Sequence, residues 1–248
     1  MDFAASSVGP LALLAGAFVL GGLVKGALGI GLPMVAVPLL SLGLPPAQAI
    51  ALMAVPVLAS NGWQAWDSGI SWPGVRRFWP LLATLPVCTL LTVPYTLAMS
   101  DAMLRNLIAG AVLLAVVLNA MPLRMTVSPE KERWFSAAVG ALSGVMGSVS
   151  ALTGPLVISY LVSLRLAREV FVGTISVIYL RSAITLYGSM AGQGRINERE
   201  FLHSLLALVP MGLGMAAGRR LRGRLSETMF RRLLLGFLVT VALLLVLR

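Results

Sequence analysis

Two matching apolar segments, one in each half of the chain, constrain its fold more than any other feature of the sequence. The first is GLPMVAVPLLSLGL (residues 31–44) and the second is TGPLVISYLVSLRL (residues 153–166). Aligned at Pro33 and Pro155, they also share serine, leucine and valine positions. Each follows a Gly/Ser-rich stretch inside an apolar run that is too long for one plain helix. Repeated, interrupted apolar segments are typical of a transport site at the interface between repeats. The alternative is that the small residues only let helices pack closely.

The composition identifies an integral membrane protein. Hydrophobic residues make up 58% of the 248 residues and charged residues only 11%, whereas a soluble domain is about a quarter charged. The charges cluster between long uncharged stretches. The first such stretch begins near Val8 with no basic residue before it, so we expect it to be retained rather than cleaved as a signal peptide.

The apolar runs predict an all-α membrane protein with about eight transmembrane helices, because one span needs about 20 apolar residues. The predicted spans are residues 8–42, 47–66, 75–99, 104–123, 134–164, 169–190, 201–218 and 230–247. A polar joint divides them into two homologous four-helix halves. These are a first repeat (residues 1–124), a connecting loop (125–132) and a second repeat (133–248).

The first and fifth runs are long enough for a span plus extra, and both contain helix-breaking residues, at 25–33 and at 144–155. We therefore expect both helices to be broken or re-entrant and to face each other at the centre, because irregular backbone at membrane depth must be buried or line a wet cavity. If every run crosses once, the repeats are parallel. If these two runs fold as hairpins, the repeats are inverted. Hydropathy is compatible with both.

The net charge of +10 does not indicate nucleic acid, since most basic residues cap the apolar runs, where they meet lipid headgroups. The densest basic cluster lies at residues 219–232. The positive-inside rule places it in the cytoplasm and both termini outside, in a cell (inner) membrane. One Cys and one His give no structural zinc site, and we predict no cofactor. Oligomeric state, including a possible homo-oligomer, stays open.

Lys25 and Arg181 fall well inside apolar runs rather than at their ends, and intramembrane charge is a functional candidate by default. Arg181 is about 12 residues, or ~18 Å, into its helix, so we expect it to face the cavity between the halves. The alternative is that its guanidinium snorkels to the headgroups. Lys25 sits just before the first break, where it either reaches the site or snorkels.

All nine carboxylates fall at span ends or in loops. A cationic site without acidic partners favours an anion, and half-helices that restart at the two breaks would add backbone N–H groups and positive dipole ends. The candidate substrate-binding residues are Lys25, Gly29, Gly31, Pro33, Asn61, Ser150, Thr153, Gly154, Pro155 and Arg181. Without a carboxylate in the spans to carry a proton or sodium, we expect uncoupled or weakly coupled export, driven by the membrane potential.

These residues resemble the sulfite exporter TauE/SafE family, also called the four-toluene-sulfonate uptake family. The first-half pattern is Gly22, Gly26, Gly29 and Gly31, followed by Pro38-Leu39. The second-half pattern is Gly144, Gly147, Thr153-Gly154-Pro155 and Tyr160-Leu161, then Arg168 and Thr174. Gly31-Leu32 stands where many members have a run of glycines. The resemblance covers nearly the whole chain and implies transport of small sulfur-containing anions such as sulfite, sulfoacetate or other organosulfonates.

Two other classes of function fit the sequence less well. A membrane enzyme is not expected, because the spans contain no His/carboxylate cluster and no set of metal ligands. A non-transporting membrane scaffold or assembly factor is the alternative function. Such proteins usually carry long loops or a soluble domain, and every loop here is short.

Overall fold

The computed structural model describes residues 8–70, 72–120, 128, 130–221 and 227–247, and the regular secondary structure of this part is entirely helical. The helices are α1 (Val8–Leu28), α2 (Leu32–Ser41), α3 (Pro46–Ala51), α4 (Ala54–Asp67), α5 (Trp72–Arg76), α6 (Trp79–Ala98), α7 (Asp101–Ala120), α8 (Glu132–Ser150), α9 (Gly154–Ser163), α10 (Arg168–Gly192), α11 (Glu198–Leu206), α12 (Leu208–Leu221) and α13 (Glu227–Val246). Residues 125–127 and 129 of the predicted connecting loop, and residues 222–226 of the basic cluster, lie outside the described residues.

Five helical segments of the described chain are long and apolar enough to cross a membrane. They are Leu11–Leu28, Trp79–Ala98, Asp101–Ala120, Val170–Gly192 and Glu198–Leu221. Two shorter apolar helices, Leu32–Ser41 and Gly154–Ser163, accompany them. The membrane class agrees with the sequence prediction, but the predicted count of eight spans is not reproduced.

The first and fifth apolar runs are interrupted where the sequence predicts. Between α1 and α2, Gly29 adopts a left-handed conformation (φ 83°), and its N–H donates to the carbonyl of Lys25 at 2.7 Å. Between α8 and α9, Ala151 does the same (φ 56°) and donates to Gly147 at 2.8 Å. A left-handed residue at this position ends a helix by bonding one of its last free carbonyls. In both places the chain then restarts a ten-residue helix with proline in its first turn.

After the first interruption the chain turns back on itself. A side chain at Gly21 of α1 would meet Leu32 and Ala36 of α2, and one at Gly43 would meet Leu13. The residue numbers rise along α2 as they fall along α1, so α2 packs antiparallel to α1. The first long run is therefore a helical hairpin and not a continuous span. The helix α9 also contacts α8.

Glycines bring α1 and α12 into backbone contact. A Cβ at Gly22 or Gly26 would overlap the carbonyl oxygens of Met211 and Met215 on α12. Reciprocally, Gly214 and Gly218 of α12 lie against the carbonyl oxygens of Val19 and Leu23. Paired small residues four apart allow this close approach of membrane helices. Since the partner numbers rise together, α1 and α12 run parallel.

Two further pairs fix the remaining helix directions. Gly140 and Gly144 of α8 lie against the carbonyl oxygens of Leu81 and Leu85, so α8 runs parallel to α6. The helices α4 and α10 instead run antiparallel. A side chain at Gly62 would lie 3.9 Å from Leu180, whereas one at Gly173 would meet Ser68 and Ile70.

Two predicted spans contain breaks that the sequence analysis did not anticipate. The predicted span 47–66 divides into α3 and α4 at Leu52 and Met53, and the span 201–218 divides into α11 and α12 at Ala207. Ser204 of α11 stabilises the first break, since its hydroxyl donates to the Leu52 carbonyl at 2.9 Å and accepts the Val55 N–H at 2.9 Å. The Leu52 carbonyl has no backbone donor four residues on, because Pro56 lacks an N–H, and the Ser204 hydroxyl takes that place.

Candidate functional site

A cavity of about 500 Å³ lies between the two interruptions. Residues from both restarting helices line it, together with side chains of α1, α4, α7, α10 and α13. From the two interruptions these are Ile30, Gly31, Leu32, Pro33 and Met34, and Ala151, Leu152, Thr153, Gly154 and Pro155. The sequence-based expectation that both breaks would face one central space is met in this respect.

The principal charge in this cavity is Lys25, in the last turn of α1. Its side chain is only 5% exposed, and its Nζ donates to Oδ1 of Asn61 on α4 at 2.5 Å. An ammonium has three N–H donors, and the lining holds no carboxylate among the described residues. The basic nitrogen therefore has a neutral partner and an open cavity, the arrangement that an anion would complete.

A second polar pair ties the other interruption to α10. Thr153 Oγ1 and Ser182 Oγ share a hydrogen bond of 2.8 Å, and both side chains are buried. Beside them, Gly154 leaves room for the Tyr179 hydroxyl, which would lie 2.6 Å from a Cβ at that position. The interruption in the first half is thus held to α4 by Lys25–Asn61, and the interruption in the second half is held to α10 by Thr153–Ser182.

The starts of α2 and α9 carry no side-chain caps. Gly31, the N-cap of α2, adopts φ 99°, which disfavours any side chain there, and Thr153, the N-cap of α9, uses its hydroxyl on Ser182. The first N–H groups of a helix have no partner within it. Both starts line the cavity, so the positive dipole ends of the two short helices lie at its wall.

Three predicted binding residues do not line the cavity. Gly29 directly follows α1 and is absent from the lining, and Ser150 is fully buried with its hydroxyl donating to the Met146 carbonyl at 2.7 Å. Arg181 is exposed on α10 and is absent from the lining, although its neighbour Ser182 belongs to it. The expectation that Arg181 faces the cavity is therefore not met. The other predicted residues are all in the lining, namely Lys25, Gly31, Pro33, Asn61, Thr153, Gly154 and Pro155.

Several polar lining residues were missed by the sequence analysis, namely Asn119, Ser159, Tyr179, Ser182, Tyr187 and Arg231. Asn119 and Arg231 lie near the end of α7 and the start of α13, and Arg231 is exposed. Aromatic and hydroxyl side chains are common in apolar helices, so no local signal separates these from others. Only the assembly of α7, α10 and α13 around the two breaks brings them together.

Comparison with known proteins gives one match. A family model described as Sulfite exporter TauE/SafE matches residues 13–245 of the chain. The chain belongs to the sulfite exporter TauE/SafE family. No curated protein and no solved structure matches it. The TauE/SafE family consists of membrane transporters rather than enzymes, and the apolar helices agree with that class. The resemblance drawn from the glycine and proline pattern is confirmed over nearly the whole chain.

Proposed function

We propose that this protein exports small sulfur-containing anions such as sulfite, sulfoacetate or other organosulfonates. The observation that carries the proposal is that both helix interruptions line one cavity, into which a buried lysine projects from α1. Family membership supports the transported class. The volume exceeds that of a sulfite ion, and the largely apolar lining suits the carbon skeleton of an organosulfonate.

In this proposal Lys25 supplies the positive charge, and the starts of α2 and α9 supply N–H donors from two sides. Charge-assisted hydrogen bonds of this kind are about twice as strong as neutral ones. Asn61, Thr153 and Ser182 hold the donors in place through the two polar pairs. Arg231, exposed at one edge of the lining, attracts anions toward the cavity. Arg181 is not part of this site.

We further propose that the two halves are inverted repeats, in which α1–α2 and α8–α9 are re-entrant hairpins. The helices α4 and α10 are the second spans of the two halves, and their antiparallel packing supports a return of α8–α9 to the side from which it came. If α8–α9 is a hairpin and the α1–α2 run crossed the membrane once, α1 and α12 would be antiparallel. They pack parallel, which supports a hairpin for α1–α2 as well. Eight single crossings would instead make α4 and α10 parallel.

The distribution of basic residues supports this topology. The inverted arrangement places on the cytoplasmic side the described residues Arg76, Arg77, Lys131, Arg133, Arg165, Arg219, Arg220, Arg231 and Arg232. Only Arg105, Arg195 and Arg199 fall on the opposite side, together with both termini. The positive-inside rule expects this asymmetry, whereas eight single crossings leave the two sides nearly balanced. The proposed location is accordingly the inner membrane, with both termini outside the cytoplasm.

A flux assay tests the proposal. The purified protein is reconstituted in liposomes loaded with sulfite, sulfoacetate, benzenesulfonate or acetate, and efflux is followed against protein-free liposomes. We expect efflux of the sulfur anions to exceed that of acetate. Efflux equal to that of protein-free liposomes for every anion would refute the proposal and favour the scaffold alternative.

A further inference from the structure

The position of Lys25 has a consequence for how transport is driven. Its side-chain nitrogen, Nζ, is buried, and its hydrogen-bond partner, Asn61 Oδ1, is a neutral amide oxygen. A buried charge without an opposite charge is strongly disfavoured, and a lysine in that position relieves the penalty by losing its proton. Arginine has no such option, because its guanidinium stays charged in proteins.

Among the side chains that the structure describes, no neighbour supplies the missing negative charge. Lys25 is the only titratable residue of α1, and α2 has none. Packed against α1, the helix α12 contributes Arg219 and Arg220, which are exposed cations. Beyond Asn61, α4 ends in the exposed Asp67. Across the cavity stand Tyr179 and Tyr187 of α10 and Arg231 of α13. Tyrosines are neutral at physiological pH, so an anion entering the cavity is the partner that Lys25 lacks.

We infer that Lys25 is the proton-binding group of this transporter: its amine is neutral when the cavity is empty and takes up one proton from water for each anion that binds. The inference rests on the proposed function and adds a coupling ion to it. Anion and proton favour each other's binding reciprocally. The proton enters with the anion from one side and leaves with it on the other, and the empty carrier returns neutral.

The sequence predicts uncoupled export because no carboxylate lies in the spans. Proton binding by Lys25 would replace that expectation with transport coupled to a proton. A monovalent sulfonate would cross together with a proton and without net charge, so the membrane potential would not drive it. Its direction would follow the combined gradients of anion and proton. Export then requires the anion concentration inside to exceed that outside by about tenfold for each pH unit by which the outside is more acidic.

Proton uptake on binding is the direct test. Binding of methanesulfonate, benzenesulfonate and sulfite to the purified protein is measured by calorimetry in buffers of different ionisation enthalpy, from about pH 6 to pH 9. We expect the wild type to take up about one proton per anion at the alkaline end, with affinity falling about tenfold per pH unit there. Lys25→Arg should bind with one proton fewer and with little pH dependence. The difference between the two proteins cancels any proton carried by sulfite itself.

Two further variants keep the test decisive. Lys131→Arg makes the same exchange at an exposed lysine outside the cavity and should behave as the wild type. Asn61→Asp gives Lys25 a permanent carboxylate partner, so proton uptake on anion binding should disappear even if Lys25→Arg does not fold.

The outcomes separate the two proposals. Anion binding by the wild type without proton uptake would overturn the coupling and leave the anion site standing. Unchanged proton uptake in Lys25→Arg, or in Asn61→Asp, would overturn the assignment to Lys25. Absence of binding for all three anions at every pH would overturn the proposed function and the coupling with it.

Discussion

Lys25 and Arg181 are both basic residues within apolar helices, yet their surroundings are opposite. Lys25 is buried in the cavity, whereas Arg181 is exposed on α10 and outside the lining. We expect Lys25→Gln to lower sulfonate efflux from proteoliposomes at least about tenfold, because a charge-assisted hydrogen bond is lost. The matched variant Arg181→Gln should retain most of the flux. Loss of transport in Arg181→Gln with Lys25→Gln unaffected would return the site to the arginine.

Position along a helix explains why the sequence misplaced Arg181. Its distance from the helix start predicts depth, but the direction in which it points depends on which helices surround α10. That helix is apolar on most of its surface, so its sequence does not mark a buried face. Lys25 and Asn61 were each predicted as candidates, but their hydrogen bond joins residues 36 apart and depends on the packing of α1 and α4.

The Thr153–Ser182 hydrogen bond should contribute measurably to stability. Thr153→Val keeps the shape of the side chain but leaves the buried Ser182 hydroxyl without its partner, which costs about 1–3 kcal/mol. Ser159→Ala is the control, because Ser159 lines the same cavity but its hydroxyl donates to the Pro155 carbonyl within its own helix. We expect a clear fall in the thermal midpoint in detergent for Thr153→Val only. An equal fall in both variants would contradict a special role for the pair.

At the scale of the helix, the ends of α1 and α8 can be tested by opposite substitutions at equivalent positions. Gly29 and Ala151 are equivalent in the alignment at Pro33 and Pro155, and both have left-handed backbones. Gly29→Ala should destabilise the protein by about 1–2 kcal/mol, because a Cβ is disfavoured in that conformation. Ala151→Gly should leave stability unchanged or raise it, as it removes the same strain. Thermal melting of both variants checks this, and destabilisation by Ala151→Gly would argue against the strained helix end.

Helix contacts made by glycine give a second prediction at this scale. A Cβ at Gly22 would overlap the Met211 carbonyl oxygen, so Gly22→Ala must separate α1 from α12 and should cost about 2 kcal/mol or more. Gly16 lies on the same helix with open space around it. Gly16→Ala should therefore be neutral or stabilising by about 0.5–1 kcal/mol. Melting temperatures and the yield of monodisperse protein measure both effects. A Gly22→Ala protein as stable as Gly16→Ala would rule out the close contact.

The elements were predictable to different degrees for a physical reason. The breaks at Gly29–Gly31 and before Pro155 were predicted correctly, because glycine and proline limit the local backbone itself. The breaks at Leu52 and Ala207 were missed although a proline follows each of them. Pro56 and Pro210 leave the carbonyls of Leu52 and Leu206 without their helical N–H partner, but membrane helices often keep such prolines without dividing, so the prolines alone did not predict a break. The first depends on Ser204, a residue 152 positions away that bonds the Leu52 carbonyl. Several family-pattern glycines, Gly22, Gly26 and Gly144, pack helices rather than line the cavity.

At the scale of the whole molecule, an ion pair on the proposed cytoplasmic side joins the two halves. Arg77 donates to both carboxylate oxygens of Glu132, at 2.5 and 2.6 Å, between the start of α6 and the first turn of α8. The hydrogen bond to Glu132 and the charge of Glu132 raise the pKa of Arg77. Because Arg77 is half exposed, solvent weakens the ion pair, so it contributes little to stability. Its two parallel hydrogen bonds fix the position of α6 beside α8.

The inverted topology makes a prediction that eight single crossings do not share. Single cysteines are placed at the exposed residues Asp67, Ser100, Ala167 and Gln193 in a Cys88→Ser background. The inverted arrangement puts Asp67 and Ala167 on the cytoplasmic side, with Ser100 and Gln193 outside. The packing of Gly173 against Ile70 brings the end of α4 beside the start of α10, near Asp67 and Ala167. The hydrogen bond from Arg195 to the Leu97 carbonyl at 3.1 Å brings the end of α6 beside the end of α10, near Ser100 and Gln193.

An impermeant maleimide applied to intact spheroplasts reads the sides directly. We expect Ser100→Cys and Gln193→Cys to be labelled at once, and Asp67→Cys and Ala167→Cys only after permeabilisation. The background lacking cysteine controls for non-specific labelling. Eight single crossings with the termini outside would instead expose Asp67→Cys and Gln193→Cys and protect Ser100→Cys and Ala167→Cys. The reason is that the first and fifth runs would then each cross the membrane, and each crossing moves all later loops to the opposite side. That pattern would rule out the hairpins, and a pattern with the two expected pairs exchanged would keep the hairpins but reverse the orientation.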